Sequence, residues 1–231
     1  MLILLCLASA CSSHKEKQRA GPCDRAAAAA QKREPHLPLH GDVTGDGRPD
    51  TVALVAVHGA PAKCALWLVV KSREHIRPLA LREQRENSFV RPALSGLGPI
   101  DRRAGLEIVA KLHEGASTEF AAVFSVAGDA IRQLVLDRLG YSEFGFGGSV
   151  THADAVDCVH GAPGEVVQHG AGSEDPTGQR WVIEQRIYRV VGTQFVPLRT
   201  TTRRVRSPEA ALRTLGRGPQ PFPSCLAVRS H

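Results

Sequence analysis

The stretch GDVTGDGRPDTVALV, residues 41–55, places oxygen donors at alternate positions. Asp42, Thr44, Asp46 and Asp50 offer side-chain oxygens at positions one, three, five and nine of the loop, and Arg48 can offer its carbonyl at position seven. Gly47, at position six, stands where a sharp backbone turn lets such donors face one point. A hard cation that takes roughly six to eight oxygens, Ca²⁺ above all, asks for that arrangement. With neither Cys nor His inside the loop, zinc and copper are disfavoured. No Glu follows at position twelve, and a strand-like run rather than a helical one comes next, so the loop is not an EF-hand. If an ion binds, its role is structural: it braces the loop that enters a strand. A metal-free polar turn accounts for the same residues, because Asp and Gly are good turn formers.

No other stretch offers a better-formed site. His36, His40, His58, His75, His113, His152, His160 and His169 are scattered. HEGAS at 113–117 begins like a zincin helix but lacks the second His. His36 and His40 are four apart, yet Pro35 and Pro38 deny them a helical face. There is no GxSxG elbow, and the SxxK spacing of Ser12 to Lys15 falls in a polar segment with no site around it. FGFGGS at 144–149 reads as a turn or bulge, GAGSEDPTGQR at 170–180 as a long polar hairpin tip, and HGAP at 58–61 and 160–163 as tight turns. Asp137, Asp154, Asp157, Glu165, Glu174 and Asp175 read as a solvated acidic face, since nothing in the sequence sets two of them at a glycosidase separation. No catalytic or cofactor-binding residue is assigned.

The elements around the loop are mostly strands. TVALVAV (51–57), CALWLVVK (64–71), LEIVAKL (106–112), EFAAVFSV (119–126) and RWVIEQRIYRVV (180–191) are apolar and β-branched, punctuated by Gly, Pro or Asp. CDRAAAAAQKRE (23–34) is a helix by propensity, stopped by Pro35. SPEAALRTLG (207–216) is a short helix with Ser207 as cap and Gly216 at its end. Shifting the chain by 55 residues lays Gly41 on Gly96, Asp46 on Asp101, Arg48 on Arg103, His58 on His113 and Ile76 on Ile131. Repetition explains His58 and His113 as structural. The second copy of the loop has lost its oxygens in this register, standing at Leu97, Pro99, Asp101, Arg103 and Gly105; an Asp–Arg pair there could replace a metal. Units 41–95, 96–149 and a looser 150–206 each read as an antiparallel meander. The expected fold is all-β: about three meander units, as a partial propeller or a sandwich, with short N- and C-terminal helices.

The chain of 231 residues holds one large domain or two small ones, and at 42% hydrophobic it can build a core; one domain over 23–231 is expected. A net charge of +6 suits an acidic surface such as anionic lipid or wall polymer. Arg is spread along the chain without a dense basic block, so a nucleic-acid partner is not expected and the charge reads mainly as solubility.

MLILLCLASAC, residues 1–11, is apolar and ends Ala8-Ser9-Ala10-Cys11. It resembles the lipobox of bacterial lipoproteins, with Ala8 where Leu is commoner and no Lys or Arg ahead of the apolar run. The resemblance implies removal of the leader, lipidation of Cys11 and a tether over 12–22. An ordinary secretory signal and a buried N-terminal strand are the other readings. Cys23, Cys64, Cys158 and Cys225 remain after processing, an even number that an oxidising compartment pairs. Three connectivities are open, and Cys23–Cys64 with Cys158–Cys225 is favoured because it pins each end of the domain to a neighbouring strand.

Asp42-Val43-Thr44-Gly45-Asp46-Gly47-Arg48-Pro49-Asp50 resembles the calcium loop of the FG-GAP/VCBS repeat family, close to DxNGDGxxD before a hydrophobic strand, which integrin-type propellers also carry. Thr44 stands where the family has Asn or Asp. The resemblance implies ligand roles for Asp42, Asp46 and Asp50, with Thr44 and Arg48 weaker, and one Ca²⁺ in all. The expected function is that of an envelope-anchored binding or scaffolding lipoprotein: it meets the membrane through its lipid, with an envelope polymer or protein as partner and its oligomeric state open. The alternative is an envelope hydrolase acting on wall polymer or a phosphoester, and a His113, His160 or His169 paired with an acid would favour it. A third reading is an assembly lipoprotein without a soluble ligand.

Overall fold

The computed structural model describes residues 20–81, 92–136, 142–149, 151–175, 179–215 and 220–230. The leader, Cys11, most of the tether, Asp137 and Gly216 lie outside the described residues. Two antiparallel sheets, of four and ten strands and not closed, carry the described chain together with two short helices. The expected all-β class is the fold found.

The first sheet runs β1 (Leu39–Gly41), β2 (Asp50–Ala56), β3 (Leu66–Lys71) and β4 (Ile76–Leu81), in that order. β2 and β3 bury both faces, which is why they read as continuous apolar runs rather than alternating ones. Val52, Leu68 and Val70 face the second sheet, while Ala53, Val55, Trp67 and Val69 face helix α1 (Pro22–Lys32). The helix presents Ala26 and Ala30, both buried, and such small side chains let it lie close to the sheet. Pro22 suits its first turn, and the Asp24 carboxylate accepts the Gly21 N–H at 2.8 Å. A Cys23–Cys64 disulfide, with Cα atoms 5.6 Å apart, ties helix to sheet.

The second sheet comprises β5 (Ala93–Gly98), β6 (Glu107–Glu114), β7 (Thr118–Ala127), β8 (Ala130–Gln133), β9 (Phe144–Gly148), β10 (His152–Cys158), β11 (Glu165–Ser173), β12 (Trp181–Val191), β13 (Gln194–Val205) and β14 (Val228–Arg229). Its order is β13-β12-β11-β10-β9-β7-β6-β5-β14, with β8 beside β7. One face of β6 and β7 meets the first sheet through Ile108, Ala110, Ala122 and Phe124. The other face, with Val109, Ala121 and Val123, packs against Val156, Val166, Tyr188 and Phe195 of β10 to β13. Strands of one sheet can face each other only if that sheet curls back on itself.

The curl lies at β9. FGFGGS is therefore a strand with a bend between the second and third units, closer to the expected bulge than to the expected turn. Gly147 and Gly148 have φ of 95° and 145°, and a Cβ on Gly148 would meet the His152 carbonyl oxygen at 2.4 Å. Phe144 anchors the core inside the curl, its ring 4.9 Å from Phe195, 5.5 Å from Phe222 and 6.1 Å from Tyr188, all edge-on. Of the three expected meanders, the first is a separate sheet; the second and third are fused through β9 but still face one another.

Helix α2 (Pro208–Leu215) sets Ala211 and Leu215 on Trp181, Ile183, Ala153 and Ala171. The Ser207 hydroxyl accepts the Ala210 N–H at 3.1 Å, the cap expected of it. Residues 220–230 return across the curled sheet. Cys225 is bonded to Cys158, Cα to Cα 5.8 Å, and Val228 pairs with Leu97 to close the β5 edge. At the opposite edge β13 is exposed from Val196 to Arg204. The two disulfides are those favoured from the sequence, and they suit an oxidising, extracytoplasmic compartment.

Candidate functional site

The acidic loop joins β1 to β2, and its carboxylates organise its own backbone. Asp42 Oδ1 accepts the N–H groups of Gly45 at 2.7 Å and Asp46 at 3.2 Å, and Oδ2 accepts that of Gly47 at 2.8 Å. Asp46 Oδ1 accepts the Arg48 N–H at 2.9 Å. Asp50, 2% exposed, accepts the N–H groups of Val43 and Thr44, each at 3.0 Å. Asp42 Oδ1 and Asp50 Oδ2 each already accept two N–H groups, so free lone pairs remain on Asp42 Oδ2, Asp50 Oδ1 and the Asp46 carboxylate. Thr44 Oγ1 is buried and has no hydrogen-bond partner. A hollow of about 320 Å³ adjoins the loop, with Thr44, Asp46, Arg48 and Arg77 in its wall. Among the described residues, no three His, Cys, Asp or Glu side chains converge as a metal-holding group. An oxygen-seeking cation would therefore draw on the Thr44 hydroxyl and the Arg48 carbonyl besides the carboxylates. The oxygen-only donor set and the orphaned Thr44 hydroxyl fit such a cation.

The second loop repeats this plan in a register different from the one read in the sequence. Glu107 Oε2 accepts the N–H groups of Ile100 at 2.8 Å and Asp101 at 3.0 Å, as Asp50 does for Val43 and Thr44. The structural shift is thus 57 residues at the loop, not 55. Asp101 corresponds to Thr44, Arg103 to Asp46 and Glu107 to Asp50. Asp101 accepts from Arg103 Nε at 2.5 Å and from the Arg103 backbone N–H at 2.6 Å. The Asp–Arg pair considered as a substitute for metal is present, with the guanidinium where the first loop has Asp46.

The two loops pack back to back. The Leu106 N–H donates to the Asp42 carbonyl at 2.7 Å. A Cβ on Gly45, at φ 77°, would meet the Ala104 carbonyl oxygen at 2.7 Å, so only glycine fits there.

Glu107 was not among the residues picked out from the sequence. It is 3% exposed, and burial pushes its carboxyl up to about 7, with the neighbouring Asp101 charge adding to the effect. Its pKa is raised in the folded state, so the stability it contributes is complete below its unfolded value and is lost as pH rises through about 7. Glu107→Gln keeps an oxygen acceptor for both N–H groups and removes the charge. It should therefore raise stability at pH 8 by on the order of 2 kcal/mol and leave it nearly unchanged at pH 5. Denaturant melts of both proteins at the two pH values check this; equal curves at pH 8 would refute the buried-charge account.

His113, on β6, is not a mere repeat of His58, which lies exposed in the turn after β2. Its Nε2 is 2.5 Å from Glu143 Oε2, with the two side chains 12% and 11% exposed. Its ring stacks on Phe120 at 4.5 Å, and Glu143 Oε1 is buried without a partner. Among the described residues no hydroxyl or thiol bonds the histidine, so no nucleophile completes a triad.

His152 bridges Thr118 Oγ1 at 2.9 Å and Ser149 Oγ at 2.9 Å. His40 Nδ1 lies 3.3 Å from Thr51 Oγ1. His169 is held below its ordinary pKa by burial.

The expected acidic face is not one surface. Asp157 accepts from Ser224, Glu165 pairs with Arg189 at 2.6 Å, Glu174 pairs with Arg204 at 3.1 Å, and Asp175 accepts the Arg180 N–H at 2.7 Å. Only Asp154, half-buried on β10, accepts no hydrogen bond among the described residues. The expected hairpin tip at 170–180 is shorter than read, because Gly170 to Ser173 belong to β11. No helix of the described residues is long and apolar enough to cross a membrane.

No family model, curated protein or solved structure matches the chain.

Proposed function

We propose that the chain is an extracytoplasmic binding or scaffolding protein, anchored through lipidated Cys11, whose 42–50 loop holds one structural Ca²⁺. The observation that carries the ion is the buried, unpartnered Thr44 hydroxyl beside the carboxylates of Asp42, Asp46 and Asp50. Its support is the resemblance of this loop to the FG-GAP/VCBS pattern, together with two disulfides that suit an exported chain. A bound Ca²⁺ would supply charge neutralisation among these oxygens and hold the entry to β2.

Melting in excess Ca²⁺, in EGTA and in Mg²⁺ tests the site, since a ligand raises the melting temperature only by binding the native state. A Ca²⁺-specific rise of several degrees is expected. Asp46→Ala should abolish it and Asp101→Ala should not. No rise in the parent protein would make the loop a metal-free turn. Intact mass of the protein from native membranes tests the anchor; an unmodified N-terminus at another residue refutes it.

A second reading, an envelope hydrolase acting on wall polymer or a phosphoester, is favoured by the His113–Glu143 pair. It requires a nucleophile or an activated water beside His113. Loss of hydrolysis of a wall-polymer substrate in His113→Gln would support it, and absence of any turnover by the parent protein would end it.

A further inference from the structure

Three strands of the second sheet form a trough whose floor is bare backbone at Gly170 and Gly172. Gly170 pairs with Asp154 on β10 and with Glu184 on β12. Gly172 pairs with His152 and Val182, and Gln168 with Val156 and Arg186. Asp154, Gly170 and Glu184 thus lie in one row across the sheet. The flanking side chains stand on either side of bare backbone, roughly 10 Å apart, or two strand spacings. The trough encloses about 430 Å³ and is lined by Asp154, Gln168, Glu184 and Arg186. A Cβ on Gly172 would meet nothing within 4 Å, and one on Gly170 would meet only Asp154 Oδ1, at 3.4 Å. Packing therefore does not require glycine at Gly172. Glycine in a strand weakens it, and often marks close approach of another molecule to the backbone.

The hydrogen-bonding groups around the bare floor alternate between acceptors and donors. Asp154 offers two acceptor oxygens that no described residue uses. The Gln168 amide oxygen accepts weakly from Tyr188 Oη at 3.5 Å, which leaves its NH₂ free to donate. Glu184 accepts from Arg186 Nε, and the guanidinium, which also bonds Tyr188, carries further N–H donors. A simple cation would meet Arg186, and a simple anion would meet both carboxylates. Hydroxyl groups, which donate and accept at once, satisfy acceptor and donor in turn. Burial holds Asp154 above the ordinary carboxylate range, against the opposing pull of the nearby His152.

We propose that this trough binds a neutral, hydroxyl-rich saccharide, with adjacent hydroxyls shared between Asp154 and Glu184 and the ring lying over Gly170 and Gly172. The assignment rests on the binding-protein reading and gives it a ligand class.

Saturation-transfer NMR on the full chain with cellotriose and tri-N-acetylchitotriose tests it, with the sugars checked afterwards for cleavage by mass. Transfer to at least one trisaccharide is expected. Gly172→Val, whose Cβ has open space around it and whose methyl groups would project into the trough, and Asp154→Asn should each weaken binding by about tenfold or more. Circular dichroism establishes that each variant is folded. No transfer from the parent protein, or equal transfer from Gly172→Val and Asp154→Asn, overturns the trough assignment. If a Ca²⁺-dependent melting shift persists in that case, the binding-protein reading survives without this ligand. Cleavage of a bound trisaccharide that is lost in the trough variants would confirm the trough and replace that reading with the hydrolase.

Discussion

Replacing Cys158 and Cys225 together by serine should lower the unfolding free energy by about 4 kcal/mol in urea titrations without reductant. The bond joins residues 67 apart in sequence. In the chain-entropy account, the closed loop restricts the unfolded ensemble more as it lengthens. Its place in the native fold adds to the effect. β10 ends at Cys158, and the returning segment is otherwise held by the buried Phe222, by Ser224 on Asp157 and by the two-residue strand β14. Without the bond, that segment is held only by those noncovalent contacts, and the cover it gives the β5 edge is weakened with it. The Cys23–Cys64 bond, spanning 41 residues, should contribute slightly less. A loss below about 1 kcal/mol for the serine pair would mean that packing around Phe222 holds the segment unaided.

Phe144→Ala should cost about 3–5 kcal/mol, the range of large aromatic truncations in cores. Phe144 is 1% exposed and contacts Tyr188, Phe195 and Phe222 edge-on. These rings come from β12, β13 and the returning segment, so a cavity here would loosen three separate parts of the chain. Phe144→Leu should recover much of the loss by refilling most of the volume, whereas a purely local defect would leave the two variants alike. Denaturation midpoints together with near-ultraviolet dichroism of the aromatic cluster distinguish these outcomes.

The parts of this fold that the sequence made legible are those in which one physical cue dominates. β2, β3, β6, β7 and β12 are apolar runs bounded by turn formers, and all five are strands close to their expected limits. The alanine helix and the Ser207-capped helix follow from propensity and capping. The strands not assigned lack such a cue. β9 and β11 carry glycines that in isolation signal turns, yet here they sit where a sheet bends or where a surface is left bare. β13 is rich in Thr and Arg because only its partner side is covered.

The site shows the same division. Asp42 and Asp50 are legible as loop carboxylates. Glu107 was passed over because it opens the run EIVAKL as part of a strand, and the 55-residue register set Gly105 opposite Asp50. The signal was present: an acid opens the apolar run after each loop. The Glu143 partner of His113 lies thirty residues away in sequence, and no spacing rule could have joined them.

The exposed strand β13 carries Arg199, Arg203 and Arg204 along an open sheet edge. A twelve-residue edge invites another molecule to extend the sheet, the usual route from a β-rich protein to an aggregate. Were a second copy to align antiparallel about Thr201, Arg199 of each would oppose Arg203 of the other, and like charges directly opposite are unfavourable. Pro197 withholds one N–H from the same edge, and the bulge at Ile187 and Tyr188 breaks the regular ladder behind it. The Arg-rich end of the longest strand thus guards the molecule against its own copies.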